Sequence, residues 1–441
     1  MGTFFGTDGF RGIYGEDISP EITYKLGNSL AGMCKHKKKI LIGRDTRKSG
    51  SVLALSMACG LLANGIDVMD IGIAPTPVVA FLAKKLDVDY GVVISASHNP
   101  RHHNGIKIFD HDGYKISEQD ECKIERNILK SAQVSSKHLG RYKYCPKLIQ
   151  LYKKEVISRF SHLHGLKIAL DCANGDSSRL AKELFQKCGD KVFAFNCQTN
   201  GKKINVNCGA LYPNVISSLT KKYNCDVGFS FDGDADRIIA CDEEGNILDG
   251  DDILYILSSK YSPKIVVGTS MTNKGLELAL KEQDITMLRA DVGDKYVSLL
   301  MRKENAFLGG ESSGHIINSN YSSTGDGILT ALTLACFMKE RSEKLSQMCK
   351  YKKLPQVIAN VEVKDKYSIL NSQNINEKLE TFQKQIKDEG RLLLRASGTE
   401  SKIRIMCEHF SLDQAKQITQ ELKELIIKEE GLSSQSGKFQ Q

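Results

Sequence analysis

The amino-acid sequence predicts an α/β protein of several domains, and two observations carry this prediction. The chain has 441 residues, which is too long for one hydrophobic core, so roughly three or four domains are expected. Short apolar, β-branched runs recur with helical stretches between them, at Ile40–Ile42, Lys167–Leu170 and Lys264–Val267. Each run ends in a polar turn. Buried strands that alternate with helices indicate parallel or mixed sheets, and the recurrence indicates three similar units.

Polar and acidic stretches mark where these units meet. Apolar residues at helical spacing over 148–160 predict a helix that opens a second unit, and an acidic turn at 242–246 follows that unit. A strand-like segment, 357–363, opens the last unit, which ends in an amphipathic helix. The apolar face of that helix comprises Leu412, Ala415, Ile418, Leu422 and Leu425. The predicted domains are 1–147, 148–245, 246–354 and 355–441, and the polar tail 433–441 is expected to fray.

Composition and charge limit the classes of partner. The net charge of +8 is thinly spread, and a modest basic excess suits a small anionic substrate. The basic run Lys35–Lys39 is interpreted as a solvated helix end before a strand. No basic stretch is interleaved with aromatic residues, so no nucleic-acid partner is expected. Thirteen scattered cysteines without a Cys-x-x-Cys pair indicate reduced thiols and a cytoplasmic location.

No segment of the sequence indicates a membrane partner. The N-terminal residues lack the basic and long apolar regions of a signal peptide. The longest apolar stretch, Ile328–Met338, is too short to cross a bilayer. These features also favour a cytoplasmic location.

Three carboxylates stand at alternate positions in Asp232-Gly233-Asp234-Ala235-Asp236-Arg237. Carboxylate oxygens bind hard cations, and only Gly and Ala separate them here. On a straight strand the outer two would lie roughly 13 Å apart, so the segment must curl, which Gly233 makes easy. A solvated acidic turn is one alternative. A calcium-binding EF-hand is another, but Arg237 stands where that loop needs Gly, and both flanks are strand-like.

A candidate nucleophile, Ser97, follows the apolar strand 91–94 in Ile94-Ser95-Ala96-Ser97-His98-Asn99-Pro100. Small-residue turns after buried strands are where α/β folds present reactive groups. His98 and Lys107 are candidates for supplying positive charge or proton transfer. Taken alone, the segment also fits a polar turn closed by Asn-Pro. A serine hydrolase is disfavoured because no Gly-x-Ser-x-Gly elbow surrounds Ser97.

Two further segments have the composition of ligand-binding loops. Gly309-Gly310-Glu311-Ser312-Ser313-Gly314-His315 follows the predicted strand 306–308, and its alternate residues Glu311 and Ser313 are suited to neighbouring sugar hydroxyls. Arg395-Ala396-Ser397-Gly398-Thr399-Glu400-Ser401 lies between predicted strands 392–394 and 403–406. With Arg404 nearby, it has the parts of an anion cradle. Each segment also fits an ordinary turn. No Walker lysine signature occurs, which disfavours ordinary P-loop ATP use.

Together and in this order, the four segments resemble the α-D-phosphohexomutase superfamily. The segment Thr7-Asp8-Gly9-Phe10-Arg11-Gly12 extends the resemblance, which spans about residues 3–406. Within the superfamily the chain is most similar to the bacterial phosphoglucosamine mutases. The segments that carry this likeness are Gly43–Arg47, Pro75–Pro77, Ile204–Ala210, Arg289–Tyr296 and Thr324–Gly327. Two positions depart from that branch: Ser312 replaces its usual glutamine, and Ser401 its usual proline.

The resemblance implies a fold and a set of roles. The fold is four domains around a central cleft: three α/β units with mixed sheets and a smaller α+β C-terminal domain. Ser97 would be a phosphoserine that carries the transferable phosphoryl group. One Mg2+ per subunit would be held by a phosphoserine oxygen with Asp232, Asp234 and Asp236. The remaining roles are sugar selection by Glu311 and Ser313, phosphate binding by Arg395, Ser397, Gly398, Thr399 and Arg404, and a reaction centre lined by Arg11, His98, Lys107, Arg237 and His315.

The implied reaction interconverts glucosamine 6-phosphate and glucosamine 1-phosphate, in support of UDP-N-acetylglucosamine synthesis. It passes through a 1,6-bisphosphate, and glucosamine or glucose 1,6-bisphosphate would be the activator. Positioning and charge neutralisation supply most of the catalysis in such transfers. Lys107 and His315 are the favoured acid/base residues, with His98 behind them.

Several alternatives stay open from the sequence. One is a phosphoglucomutase/phosphomannomutase with the same chemistry on a hexose without the amine. Another is a catalytically silent protein that binds a sugar phosphate. Ser97 would be first phosphorylated either by an activating kinase or by bisphosphate priming. A homodimer is compatible with the sequence.

Overall fold

The computed structural model describes residues 4–6, 8–129, 136, 138–160, 165–189, 191–387, 389–397 and 401–431. Within these residues, strands form four sheets of seven, five, four and three strands. The chain folds into two units, one of residues 1–272 with 283–350 and one of residues 273–282 with 351–441. The predicted α/β fold with mixed sheets and a smaller C-terminal α+β domain is confirmed.

The first sheet contains the strand that leads to Ser97. Its strands are β1 (Phe5–Gly6), β2 (Gly9–Ile13), β3 (Lys39–Arg44), β4 (Asp67–Ile73), β5 (Tyr90–Ile94), β6 (His103–Phe109) and β7 (Tyr142–Tyr144). The helices are α1 (Pro20–Ala31), α2 (Gly50–Ala63), α3 (Thr76–Lys85) and α4 (Glu118–Leu129). The strand order is β1-β2-β6-β5-β3-β4-β7. Neighbours among β3, β4, β5 and β7 are parallel, whereas β6, β2 and β1 are added antiparallel.

The second sheet contains the three-aspartate loop. Its strands are β8 (Lys167–Asp171), β9 (Lys191–Phe195), β10 (Val227–Phe231), β11 (Ile238–Asp242) and β12 (Ile247–Leu248), with helices α5 (Ile149–Phe160), α6 (Ser177–Lys187) and α7 (Pro213–Lys222). The order is β12-β11-β10-β8-β9, with β10-β8-β9 parallel and the other pairs antiparallel. Strand β10 is buried at every position, which explains why all its residues except Ser230 are apolar.

The third sheet contains the loop with Glu311. It has the order β14-β13-β15-β16, with only β15 and β16 antiparallel in the described sheet. The strands are β13 (Ile265–Thr269), β14 (Thr286–Ala290), β15 (Leu308–Gly310) and β16 (Ile316–Asn318). The helices of this region are α8 (Gly250–Tyr261), α9 (Lys274–Lys281), α10 (Asp294–Lys303), α11 (Gly327–Arg341) and α12 (Leu345–Met348). Helix α9 packs with the C-terminal unit.

The C-terminal unit is an antiparallel sheet covered by helices. Its strands β17 (Gln356–Glu362), β18 (Gly390–Ala396) and β19 (Lys402–His409) have the order β17-β19-β18. The helices are α13 (Lys366–Leu370), α14 (Gln373–Gln385) and α15 (Leu412–Glu429). The predicted amphipathic helix is α15, which buries Ala415, Ile418 and Leu422 and partly buries Leu425. Leu412 was expected on that face, but it begins the helix and is 39% exposed.

Two further local predictions are corrected by the structure, and one is not tested by it. The strand expected at 306–308 lies at Leu308–Gly310, because pairing with β16 begins only at Leu308. The basic run Lys35–Lys39 is not a helix end, since α1 stops at Ala31. The tail 433–441 lies outside the described residues. In the part of the chain that the structure describes, no helix is long and apolar enough to cross a membrane.

The basic loop before β3 is organised by one carboxylate, Asp89. Its oxygens accept hydrogen bonds from the backbone N–H groups of Lys35, His36, Lys37 and Lys39 at 3.0–3.2 Å. Burial alone would raise the pKa of Asp89, but these four bonds lower it below its ordinary value. The Asp89 carboxylate therefore fixes the backbone that carries these exposed lysines.

We expect Asp89→Asn to loosen this loop in a pH-dependent way. Because the folded-state pKa is lowered, the stabilisation is fully present above the ordinary value near 4 and is lost as the pH falls through the folded-state pKa. At pH 7, amide hydrogen exchange over residues 35–39 should be roughly tenfold faster in the variant, which corresponds to about 1.4 kcal/mol. The ratio of the exchange rates in the variant and the unmodified protein should fall towards one below pH 4.

Asp87→Asn is the matched control for this prediction. Asp87 pairs with Lys37 at the surface, where both side chains are about half exposed or more. Such pairs contribute little to stability, so exchange should change by less than about threefold. A difference between Asp89→Asn and the unmodified protein that does not decrease at any pH below 4 would contradict the assignment.

Candidate active site

Ser97 lies on the loop after β5, and its backbone adopts an unusual conformation. The residue is fully buried and has φ +50°, a left-handed value that is uncommon for residues other than glycine. Its N–H donates to Ser95 Oγ at 2.9 Å, and Ser95 Oγ in turn donates to Asp45 Oδ2 at 2.7 Å. A strained backbone that persists indicates that its surroundings hold it firmly.

Two polar side chains hold this loop from outside. The Arg47 guanidinium donates to the carbonyl oxygens of Ser97 and Asn99 at 2.9 and 2.8 Å, while its Nε is paired with Asp45 at 2.8 Å. Asn205 Nδ2 also donates to the Ser97 carbonyl oxygen, at 2.7 Å. The Ser97 main chain is therefore fixed by side chains from the first and second sheets.

The loop Asp232–Asp236 curls, as the sequence predicts, but the residue that makes the turn is not the predicted one. It joins the antiparallel strands β10 and β11, so an EF-hand is excluded. The left-handed residue is Ala235, at φ +54°, and not Gly233. Gly233 is required for another reason: a Cβ there would stand 2.6 Å from the Ser97 carbonyl oxygen. Glycine thus lets the two loops touch.

The three aspartates form a buried group with a geometry suited to a cation. Ligand atoms from Asp232, Asp234 and Asp236 all lie within 4.8 Å of one another, and each residue is at most 2% exposed. The Ser97 hydroxyl donates to Asp232 Oδ2. Oδ1 of Asp234 and Oδ1 of Asp236 are buried without a hydrogen-bond partner among the described residues. Hard oxygen donors with unpaired atoms fit Mg2+.

Lys107, on β6, lies beside two of these carboxylates. Its Nζ donates to Asp234 Oδ2 at 2.8 Å and to Asp236 Oδ2 at 2.6 Å, and it is 1% exposed. Burial would lower the pKa of Lys107, but Asp234, Asp236 and Asp8 raise it well above its ordinary value. The ammonium group of Lys107 therefore stays charged. Thr76, at the start of α3, also donates to Asp234 Oδ2, at 2.6 Å.

The neighbouring charges shift the pKa values of Asp232 and Asp236 in opposite directions. Burial and the carboxylates of Asp236 and Asp234 raise the pKa of Asp232. Burial acts in the same sense on Asp236, but Lys107 and His315 outweigh it and lower the pKa. Asp232, next to Ser97, is thus the member that most needs a further cation.

An ion-pair network surrounds the loop on the side of β2. Arg11 pairs with Asp8, which also pairs with Lys115. Lys115 in turn pairs with Asp294, which lies 3.4 Å from Nε2 of His315. Burial would raise the pKa of Asp8, but Arg11, Lys107 and Lys115 lower it well below its ordinary value. The network therefore joins residues of the first sheet to the loops of the third.

His98 and Arg237 border Ser97 with opposite electrostatic character. His98 Nδ1 is 3.3 Å from Ser97 Oγ, and burial together with Arg237 and Arg11 lowers the pKa of His98 to about 4. The lowered pKa disfavours the charged imidazole, so His98 is less suited than Arg237 to supply positive charge. Burial would lower the pKa of Arg237, but Asp236 and Asp232 raise it. Arg237 is a permanent cation beside the loop.

The loop with Glu311 is fastened to the strand that leaves the aspartate loop. The Ile238 N–H donates to the Gly314 carbonyl oxygen at 3.0 Å. His315 is buried, with Nδ1 at 3.8 Å from Asp236 Oδ2. Its burial opposes protonation, but Asp294 and Asp236 raise the pKa of His315. Burial raises the pKa of Glu311, whose Oε1 accepts the Gly293 N–H at 3.1 Å, whereas Ser313 is exposed.

In the C-terminal unit, Arg395 and Arg404 face each other across β18 and β19. Burial and Arg404 lower the pKa of Arg395. Two like charges opposite each other are unfavourable, and an anion between them would reverse that effect. Ser397 is buried, and its carbonyl oxygen accepts a bond from Lys366 Nζ at 2.8 Å. Gly398 and Thr399 lie outside the described residues.

Several residues that build the site received no role from the sequence. They are Arg47, Thr76, Asn205 and Asp294, which belong to segments quoted for their likeness to the phosphoglucosamine mutases, and Lys115, which lies in none of these. The first four could have been found from the sequence, because they are polar residues in segments that border buried strands. For Lys115, a lysine between β6 and α4, no local signal exists.

Fold and site together define the class of protein. A hydroxyl bonded within a buried cluster of three carboxylates that could hold a cation, among several fixed positive charges, is the arrangement of a metal-assisted phosphoryl-transfer enzyme.

The comparisons with known proteins agree with this class. The chain matches the phosphoglucomutase/phosphomannomutase family over alpha/beta/alpha domain I at residues 2–135, domain II at 143–245, domain III at 249–354 and the C-terminal domain at 358–425. The chain belongs to this family. It is 41% identical to the phosphoglucosamine mutase of Thermoanaerobacter sp. (strain X514), over 97% of this chain and 99% of that protein. It is also 41% identical to that of Clostridium acetobutylicum, with the same coverage.

Solved structures share the fold at low sequence identity. A phosphoglucomutase/phosphomannomutase family protein from Burkholderia thailandensis has a TM-score of 0.84 at 21% identity and covers 99% of both chains. N-acetylphosphoglucosamine mutase from Aspergillus fumigatus, solved with GlcNAc-6P and magnesium, has a TM-score of 0.67 at 18% identity. It covers 98% of this chain and 96% of its own.

The unpaired aspartate oxygens lead to a prediction about metal binding. We expect Asp234→Asn to weaken Mg2+ binding at least about tenfold, because the variant loses one of three negative ligands. Calorimetric titration of the purified protein with Mg2+ measures this without turnover. The control is Asp226→Asn, a carboxylate at the opposite end of β10, which should bind Mg2+ like the unmodified protein. Equal affinities in all three proteins would rule out the loop as the metal site.

Proposed function

We propose that this chain is a phosphoglucosamine mutase, which interconverts glucosamine 6-phosphate and glucosamine 1-phosphate. The observation that carries the proposal is the hydrogen bond from the Ser97 hydroxyl to Asp232 inside the three-aspartate cluster. Its substrate is suggested by relatives that are named phosphoglucosamine mutase and are 41% identical over nearly the full chain.

The reaction is a pair of phosphoryl transfers through Ser97. Phospho-Ser97 gives its phosphoryl group to the free hydroxyl of the sugar phosphate, which leaves serine and a 1,6-bisphosphate. The bisphosphate turns over, and its other phosphate returns to Ser97. Each transfer breaks one ester bond and forms another, so no water is consumed. The buried position of Ser97 suits this chemistry, because water would divert the phosphoryl group to hydrolysis.

The three aspartates would hold one Mg2+ per subunit together with a phosphoserine oxygen. The bound ion supplies positive charge to the phosphoryl oxygens in the transition state. Arg11, Lys107 and Arg237 would supply the remaining positive charge from fixed positions around Ser97. Glucosamine or glucose 1,6-bisphosphate would act as the activator.

Proton transfer falls to a histidine and not to Lys107. The contacts of Lys107 with Asp234 and Asp236 hold its proton firmly, so its role is charge neutralisation. His315 is the proposed general acid/base: its Nε2 accepts the Gly325 N–H at 3.0 Å, which places its proton on Nδ1, 3.8 Å from Asp236 Oδ2. His98 Nδ1 lies 3.3 Å from Ser97 Oγ, and because the hydroxyl proton goes to Asp232, His98 would contact the serine oxygen as a donor.

Substrate recognition is divided between two loops. Glu311 and Ser313 would bind two neighbouring sugar hydroxyls in either orientation of the substrate. The cross-strand pair of Arg395 and Arg404, with Ser397, would bind the phosphate that is not transferred. Gly398 and Thr399 complete this proposed phosphate loop.

The remaining proposals concern organisation and context. The four domains are proposed to span 1–147, 148–245, 246–354 and 355–441. The enzyme would work in the cytoplasm on a phosphosugar, without nucleic-acid or membrane partners, and supply UDP-N-acetylglucosamine synthesis. Ser97 would be first phosphorylated by a kinase or by the bisphosphate, and a homodimer is compatible with the proposal.

Ser97→Ala tests the phosphoserine directly. We expect the variant to lose mutase activity by about a thousandfold or more, and to lose the mass of one phosphate group that the unmodified protein carries. Intact mass spectrometry and a turnover assay measure both effects. Ser51→Ala, at an exposed position of α2, should keep the activity and the phosphate. A fully active Ser97→Ala protein would refute the mechanism.

A comparison of substrates tests the amino-sugar assignment. With a bisphosphate activator present, kcat/KM should be at least about tenfold higher for glucosamine 6-phosphate than for glucose or mannose 6-phosphate, because a site built for the amine leaves its polar groups unpaired with the other sugars. A preference for glucose or mannose phosphates would make the chain a phosphoglucomutase/phosphomannomutase. Tight binding without turnover of any of them would make it a silent binding protein.

A further inference from the structure

Two cysteines outside the reaction centre lie together at the edge of the second sheet. Cys172 follows β8, and Cys197 comes two residues after β9, its parallel neighbour. The Cys172 N–H donates to the Phe195 carbonyl oxygen at 3.1 Å, and Cys197 Sγ lies 3.3 Å from the same oxygen. The Cys172 main chain and the Cys197 thiol thus share one carbonyl oxygen, and each thiol shifts the pKa of the other. Cys172 is fully buried, whereas Cys197 is exposed.

We propose that Cys172 and Cys197 form a hydroperoxide-sensitive dithiol, which closes reversibly to a disulfide and thereby slows the enzyme. The kinetic part of this proposal rests on the proposed mutase function. Both thiols are reduced in the structure, as are the other described cysteines. A reversible thiol pair is the form that disulfides usually take in reducing compartments.

The environments of the two thiols assign them different roles. The hydrogen bond from Cys172 lowers the pKa of Cys197, and Lys182 adds to this effect against partial burial. The same bond and burial raise the pKa of Cys172. Cys197 is therefore the thiolate that meets the oxidant, and Cys172 is the partner that resolves the product. By contrast, burial raises the pKa of Cys225 to about 11.

The chemistry balances in two steps. The Cys197 thiolate attacks one oxygen of a hydroperoxide, the O–O bond breaks, and sulfenic acid forms while the departing oxygen leaves as hydroxide or alkoxide. The Cys172 sulfur then attacks the Cys197 sulfur, which releases the sulfenic oxygen as water with the thiol proton. The two sulfurs together lose two electrons, and the hydroperoxide gains them.

The disulfide would act on Ser97 through a chain of hydrogen bonds. The Asn174 N–H donates to the Asn196 carbonyl oxygen at 2.6 Å, next to Cys197. The Ala173 carbonyl oxygen accepts the Asn205 N–H at 2.9 Å, and the Asn205 side chain holds the Ser97 carbonyl oxygen. A disulfide needs about 2.05 Å between sulfurs, which is shorter than any thiol hydrogen bond. Closure would draw the ends of β8 and β9 together, and through these bonds we expect it to shift the support of Ser97.

The test compares three full-length proteins: the unmodified chain, Cys197→Ser, and Cys122→Ser as a control with an exposed cysteine on α4. Each is treated with hydrogen peroxide, its free thiols are blocked, and it is cleaved with trypsin without reduction. The unmodified chain and the control should yield peptide 168–179 linked to peptide 192–202. Their kcat should fall roughly fivefold or more and return with dithiothreitol. Cys197→Ser should give neither effect.

The outcomes separate this proposal from the proposed function. The absence of the linked peptides, or an equal loss of kcat in Cys197→Ser, would overturn the dithiol. Linked peptides with an unchanged kcat would overturn its regulatory effect. If the untreated protein does not turn over glucosamine phosphates, the proposed function fails, and the peptide map alone still decides whether the dithiol exists.

Discussion

Buried negative charge on the loop Asp232–Asp236 is the constraint on which the rest of the site depends. Carboxylates that are nearly inaccessible to water cannot remain ionised without cations close by. Lys107 meets this need from β6 of the first sheet, although the loop belongs to the second. A buried lysine of this kind is tolerated only because the carboxylates pair with it. The opposite charges thus tie the two sheets together at the reaction centre.

The same constraint explains why the two central loops approach so closely. For the Ser97 hydroxyl to reach Asp232, its main chain must come against Gly233, where no side chain would fit. The cost appears as left-handed backbone at Ser97 and Ala235. Arg47 offsets this cost by bonding the carbonyl oxygens of the strained loop. The site is therefore fixed before any ligand arrives, as electrostatic catalysis requires.

The sequence predicted the strands better than it predicted how the loops between them are held. Strand β10 could be predicted because its buried positions are apolar except for Ser230. The curl of the aspartate loop could be predicted, because on a straight strand the outer carboxylates would lie too far apart to share an ion. The left-handed conformation of Ala235 could not be predicted in this way. The partners of Ser97 are separated from it by 50 residues at Arg47 and 108 at Asn205. Such contacts are set by tertiary packing, and no local pattern specifies them.

The arrangement of carboxylate oxygens also shows why Lys107 and a metal ion need not compete. Lys107 bonds Oδ2 of Asp234 and of Asp236, whereas Oδ1 of each is buried without a partner among the described residues. The Oδ2 atoms thus bind the lysine, and the Oδ1 atoms are available to a cation. A phosphoserine at Ser97 would add a charge of about −2 beside Asp232, whose pKa is already raised. A single ammonium cannot balance that much charge, so the proposed mechanism requires both cations at once.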